Sequence, residues 1–311
     1  MPTLRRLAYT SLVLAFAHIV FGAIVRITGS GMGCGDNWPK CYGYWFPPMS
    51  RPDLVIEVTH RYLAAALLAA IVTLFYVAWT TRQELGVSGR GGVLRAAGLG
   101  TALWFAPALL GAVTVFLGNT ALATAAHKLL AMMLLAVLVS AVVRTGGFGA
   151  GAAAAKPASD STRRGAIAAA ALALTVVMLG GLTAKIPGAA VACQGFPLCG
   201  ASPLPRGGAQ HLHMAHRILA FLLALHMISL TAGARRRGEA SAITRAAILS
   251  VIMIMAQIAV AAAMVLNALP QELRSLHQAI GVSIWIGIFL LAYLSAARSW
   301  QQARLRTESV S

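Results

Sequence analysis

The sequence predicts an all-α integral membrane protein whose eight transmembrane helices form two pseudo-symmetric four-helix bundles. Three observations lead there. The 311 residues are 59% hydrophobic and only 11% charged, against about a quarter charged in a soluble domain, which excludes a soluble globule. Eight segments of about 20 mostly apolar residues recur along the chain, each able to cross a hydrocarbon core of about 30 Å. The second half of the chain also repeats the motifs of the first in the same order.

The apolar segments lie at residues 7–25, 55–80, 96–116, 122–143, 165–184, 212–232, 246–266 and 273–296. Backbone groups in lipid must be satisfied within the segment, so each is read as a helix. Disorder is excluded, because runs such as 166–182 and 218–230 would be insoluble if left unfolded. The first segment follows Arg5 and Arg6, as a signal peptide would, but it contains His18 and no small-residue cleavage site precedes Arg26. It is read as a retained helix.

The 25 Lys+Arg against 8 Asp+Glu give a net charge of +17. With a mean hydropathy of +0.76, this excess reads as membrane topology and not as a nucleic-acid surface. One set of connections carries Arg5, Arg6, Arg82, Arg90, Arg95, Arg144, Lys156, Arg163, Arg164, Arg235, Arg236, Arg237, Arg245, Arg298, Arg304 and Arg306. By the positive-inside rule both termini are expected in the cytoplasm of a cell whose plasma membrane holds the protein. Segments 27–54 and 185–211 then face outward. Residues 146–160, rich in Gly and Ala, read as a flexible linker. The expected division is a bundle at 1–145, a cytoplasmic linker at 146–162 and a second bundle at 163–311.

The halves repeat closely. Gly22-Ala-Ile-Val-Arg-Ile-Thr-Gly leads to Cys34 and Cys41, and Gly181-Leu-Thr-Ala-Lys-Ile-Pro-Gly leads to Cys193 and Cys199. Thr59-His60-Arg61 is matched by Ala215-His216-Arg217, and His127-Lys128 by His277-Gln278. Each half is therefore a four-helix unit of the same orientation, a parallel repeat.

His60, His127, His216 and His277 each lie a few residues into an even-numbered span, at one depth near the outer face. An imidazole buried in hydrocarbon needs a partner. Two facing imidazoles without nearby cysteines suit the axial positions of a haem better than zinc, so His60 with His127 and His216 with His277 are the expected iron ligands. Arg61, Lys128 and Arg217 follow three of them and are candidates to pair with haem propionates. The plain alternative is four hydrogen-bonded interhelical histidines. His18 and His226 read as packed mid-helix residues and His211 as part of a helix start.

The sharpest difference between the halves is Glu57, three residues before His60, where the repeat has His213 before His216. Residues at i,i+3 share a helix face, so Glu57 is a candidate general base or cation stabiliser beside the same ligand. The other reading makes it a salt-bridge partner of Arg61. The loop Thr28-Gly-Ser-Gly-Met-Gly-Cys34-Gly-Asp-Asn-Trp38-Pro-Lys-Cys41 is rich in turn formers and suited to cover a site. Its cysteines read as a structural disulfide or a redox-active dithiol.

Together these features resemble the haem A synthase family, membrane enzymes that convert haem O to haem A for terminal oxidases. The resemblance rests on Val25-Arg26-Ile27-Thr28-Gly29-Ser30-Gly31, Cys34, Trp38-Pro39-Lys40-Cys41, Glu57-Val58-Thr59-His60-Arg61 and one histidine in each even-numbered span. It implies that the first bundle, with His60, His127 and Glu57, takes the substrate haem, and that His216 and His277 hold a haem b that relays electrons. It further implies oxidation of a porphyrin methyl to a formyl group, the intermediate hydrate losing water, with Glu57 activating water or stabilising positive charge. A membrane electron acceptor and a haem O synthase are the partners expected. The family also suggests a Cys34–Cys41 disulfide near the substrate site. The four cysteines permit three pairings; closeness in sequence and the oxidising outer side favour Cys34 with Cys41 and Cys193 with Cys199.

Three other classes compete. A dihaem cytochrome b would need only the four histidines, and would leave Glu57 against His213 unexplained. A quinone-linked thiol oxidase would need the cysteines and no histidines. A transporter suits parallel repeats without broken helices poorly.

Overall fold

The computed structural model describes residues 1–35, 37, 39–116, 120–200 and 205–296. Asp36 and Trp38 of the first loop, and Arg298, Arg304 and Arg306 of the basic set, lie outside the described residues. The helices are α1 (Pro2–Ile27), α2 (Pro52–Thr80), α3 (Val93–Phe116), α4 (Ala121–Arg144), α5 (Ala150–Ala155), α6 (Asp160–Lys185), α7 (Gly208–Arg236), α8 (Ser241–Leu266) and α9 (Gln271–Ser295). All but α5 are long and apolar enough to cross a membrane. The protein is therefore a multi-pass membrane protein. Seven of these eight helices begin or end beyond the apolar segment by two to five residues, because polar end residues continue the backbone hydrogen bonding past the hydrocarbon. Proline in the first turn starts α1 and α2, where its missing N–H costs nothing.

The packing order explains why the even-numbered spans matter. In the first half α1 and α3 each pack on both α2 and α4, so α2 and α4 stand at opposite corners of a four-helix square. In the second half α6 and α8 each pack on both α7 and α9, which puts α7 and α9 at opposite corners. The histidines thus come from diagonal helices in both bundles.

The two squares meet through α1 with α9, α4 with α6 and α4 with α9. Since α1 corresponds to α6 and α4 to α9, the first two contacts are copies of one another, and the third lies on the pseudo-two-fold axis. This seam holds a tightly packed core. Met132, Leu135 and Val139 of α4, and Ile288 and Leu291 of α9, have no accessible surface. Polar contacts cross it as well: Trp285 Nε1 donates to the Met132 carbonyl at 2.9 Å, and Arg144 Nε donates to the Tyr293 hydroxyl at 2.8 Å.

Residues 146–160 depart from the expected flexible linker. Alanines at 150 and 152–155 form the short helix α5, which packs on α8 and α9 and buries Ala153. Alanine is the strongest helix former, and its small side chain lets α5 lie close. The segment is pinned further on. Glu239, between α7 and α8, accepts from Ser159 Oγ and Thr162 Oγ1, both at 2.6 Å, while Ser159 caps α6 by accepting from the Thr162 N–H.

Candidate functional site

In the first bundle His60 projects from α2 against α1. No side chain intervenes, because the ring lies over Gly22, where a Cβ would stand 2.9 Å from His60 Nε2. His18, one turn earlier on α1, stacks on the His60 ring with centroids 4.2 Å apart and planes 22° from parallel. His127 enters from the opposite corner, within electrostatic reach of His60. Its Nδ1 lies 2.8 Å from the Pro107 carbonyl. A carbonyl only accepts, so Nδ1 carries the proton and Nε2 keeps a free lone pair. The His127 ring also rests on a glycine, Gly111, whose added Cβ would be 3.1 Å away.

The second bundle repeats the scheme. His216 lies over Gly180 of α6, where a Cβ would approach Cε1 to 2.8 Å, and its Nδ1 donates to the Val176 carbonyl at 3.1 Å. His277 of α9 lies within electrostatic reach of His216, and its buried Nδ1 has no partner. Gln257 stands twenty residues before His277, as Pro107 stands before His127. It donates from Nε2 to the His277 carbonyl at 2.8 Å, and its Oε1 is buried without a partner. In both bundles, then, imidazoles project between diagonal helices, and in each at least one has its remote nitrogen fixed by a backbone carbonyl. Metal-binding histidines are oriented in this way.

Above each pair lies a disulfide loop. Cys34 is bonded to Cys41 and Cys193 to Cys199, as expected. Glu57 joins loop to helix: Oε2 accepts from the Cys34 N–H at 2.8 Å and Oε1 from Arg61 Nη2 at 2.6 Å. Arg61 also donates to the carbonyls of Asn37 and Pro39. In the second half Arg217 donates to the carbonyls of Cys193, Gly195, Pro197 and Leu198, and its Nη2 approaches His213 Nε2 at 3.2 Å. Arginine only donates, so His213 Nε2 accepts and its Nδ1–H bonds the Ala189 carbonyl. Glu57 and His213 therefore do the same mechanical work, pairing with the arginine four residues on and tying the loop down. They differ in charge. Each oxygen of the Glu57 carboxylate keeps a lone pair beyond its one bond, so it retains the capacity to accept from a third group.

A family model described as cytochrome oxidase assembly protein, COX15-CtaA, matches residues 5–289. The chain belongs to this family. Among similar proteins, one named heme A synthase from Geobacillus thermodenitrificans is 27% identical over 308 residues, covering 96% of this chain and 92% of its own. Another of that name from Symbiobacterium thermophilum is 28% identical over 304 residues, covering 95% and 96%. A third, from Geobacillus kaustophilus, is 27% identical over 298 residues, covering 93% and 90%.

The remaining histidines and cations lie elsewhere. His226 Nε2 bonds the Gly165 carbonyl at 2.9 Å, and His211 Nδ1 bonds Gly207 at the start of α7, both away from the paired sites. Arg61 and Arg217, expected to face propionates, are held by loop carbonyls. Lys128 is elsewhere again: it leaves the first bundle, and its Nζ lies 3.2 Å from where a Cβ on Gly181 of α6 would stand. Sequence reading missed His18 beside His60, since a lone mid-span histidine carries no spacing signal. It also missed the loop-clamping arginines, because carbonyl acceptors leave no mark in a sequence.

Proposed function

We propose that this protein is a haem A synthase, oxidising a methyl group of haem O to the formyl group of haem A in the plasma membrane, with its arginine-rich face in the cytoplasm. The observation that carries the reading is the paired histidines on diagonal helices of both bundles, in a chain of this family where, among the described residues, Glu57 stands three residues before His60 and His213 takes that place before His216. The first bundle, with Glu57, takes the substrate, and the second takes a haem b.

The donor set fits such groups. His216 presents Nε2 with Nδ1 already satisfied, and His277 carries a buried Nδ1 that the protein leaves unpartnered. A haem held between His216 and His277 supplies one-electron chemistry. The chain's own contribution in the first bundle is positional and electrostatic. His60 and His127 hold the substrate iron from opposite corners, and the glycines beneath their rings let the helices approach closely. Glu57 accepts a proton from water near the reacting carbon or stabilises positive charge developing there. The Cys34–Cys41 loop, fastened by Glu57 and Arg61, covers the site and restricts water. Haem O arrives from the enzyme that makes it, and electrons leave to a membrane acceptor.

Chromatography of haems extracted from purified protein tests the proposal. Wild type is expected to yield haem b together with haem O or haem A. His216→Ala and His277→Ala deplete haem b. Glu57→Gln keeps haem b and accumulates haem O or a hydroxylated intermediate, since loss of one charge-stabilising group in a dry site lowers rate about a hundredfold to a thousandfold. Extraction of haem b alone, from wild type and every variant, overturns the synthase reading in favour of an electron carrier. Near-normal haem A formation in Glu57→Gln removes its catalytic role.

A further inference from the structure

The seam between the bundles carries cations that no carboxylate among the described residues pairs with. Lys128 of α4 crosses it, lying against Gly181 of α6, the residue next to the Gly180 on which the His216 ring rests. Arg26 stands in the last turn of α1 and Arg274 in the first turns of α9, which packs on both α1 and α4, and Arg26 interacts electrostatically with Arg274 and Lys128. All three side chains are half-buried. None makes a hydrogen bond or ion pair with any described residue. The chain has few carboxylates to offer. Among the described residues Glu57, Asp53, Glu84, Asp160 and Glu239 are each already in an ion pair, and Glu272 forms none with this group. Three neighbouring cations held beside a hydrocarbon core are costly without a counter-charge. Gly181 has no side chain where Lys128 lies, so the lysine reaches the α6 backbone across the seam.

We infer that Arg26, Lys128 and Arg274 form an oxyanion seat at the seam, and that its occupant is a carboxylate of the haem bound between His216 and His277. Arginine and lysine together suit such a group, the guanidinium gripping two oxygens and the ammonium acting as a point charge. The haem carboxylate is favoured over a lipid phosphate because Lys128 and the His216 ring rest on adjacent glycines of α6, Gly181 and Gly180. The inference rests on the second bundle holding a haem. It gives Lys128 a task across the seam: one bundle supplies a cation to the ligand of the other.

The full-length protein, purified and depleted of haem, is titrated with haem b and with haem b whose two carboxylates are methyl esters; phosphorus in the purified protein is measured in parallel. Wild type is expected to bind the free acid at least tenfold more tightly than the diester. Lys128→Gln, Arg26→Gln and Arg274→Gln should each reduce that preference, while Lys128→Arg and Arg26→Lys retain it. The conservative pair separates loss of charge from loss of fold. If the preference is unchanged in the Gln variants and co-purifying phosphorus falls instead, the seat is an oxyanion site for a lipid phosphate and the haem assignment is wrong. If neither quantity changes, the seat is overturned. If wild type binds neither haem, the proposed function fails, a result distinct from the other two.

Discussion

Three imidazoles, those of His60, His127 and His216, share one construction, a ring laid on a helix backbone that a glycine leaves open. Gly180 gives the cleanest test. Placed mid-helix, glycine costs about 1 kcal/mol relative to alanine, so Gly180→Ala raises stability if the site has no other task. An added Cβ would lie 2.8 Å from His216 Cε1 and 3.3 Å from both ring nitrogens, closer than real contacts tolerate, and the ring must move. Gly180→Ala is therefore expected to lose most of its haem b while its thermal midpoint stays level or rises, read by reduced-minus-oxidised spectra and a melting curve. Full haem b with an unshifted spectrum would show that the ring has room. The four candidate histidines could be picked out in the sequence because the repeat marks them at matching positions. His18 and Lys128 were not. His18 has Val177 at the matching position and so no echo, and the neighbour that defines Lys128 belongs to the other bundle, which periodicity within one helix cannot reveal.

At the scale of elements, the spans were legible and the connections were not. Length and apolarity place all eight long helices, because lipid permits the backbone no other arrangement. The loops are instead set by single polar residues reaching far along the chain. Arg217 is 6% exposed and its guanidinium serves four carbonyls of the 193–199 loop. Arg217→Met should cost about 3 kcal/mol, as charged hydrogen bonds are lost and carbonyls orphaned, with hydrogen exchange in residues 193–200 rising well above that in 34–41. Equal exchange in both loops would mean the disulfide alone holds the segment. On the opposite face Glu239 staples α6 to the α7–α8 turn. Burial works to raise its carboxyl pKa, but hydrogen bonds from Ser159 and Thr162 and the charge of Arg237 outweigh this and hold it below the ordinary value of 4.5. A lowered folded-state value means stability that is present above the unfolded value and lost as pH falls through the folded one. Glu239→Gln should cost about 1 to 3 kcal/mol at neutral pH and flatten the acid limb of the melting temperature. A limb of unchanged steepness would assign the acid sensitivity to another group.

For the whole molecule, the question is what makes two repeated bundles one protein. Lipid tails are as apolar as the seam, so hydrophobic burial gives little drive for the halves to associate; close packing and interhelical hydrogen bonds must supply it. The packing is present in the fully buried faces of α4 and α9, and the bonds are those of Trp285 to the Met132 carbonyl and Arg144 to the Tyr293 hydroxyl. The covalent connection lies outside the seam, with α5 resting on α8 and α9. A chain divided at residues 146–149 and produced as two pieces should therefore assemble, each half copurifying with the other, because the contact does not depend on the join. Trp285→Ala in the second piece removes both a bond and a large buried ring, for about 3 to 5 kcal/mol in all, and should abolish copurification while each half keeps its helices. Trp285→Phe removes the bond but keeps a ring, for about 1 kcal/mol, and should weaken recovery only in part. Pieces that stay apart even with Trp285 intact would show that the seam forms only when tethered. Pieces that copurify with Trp285→Ala would place its strength elsewhere in the α1, α4, α6 and α9 contact.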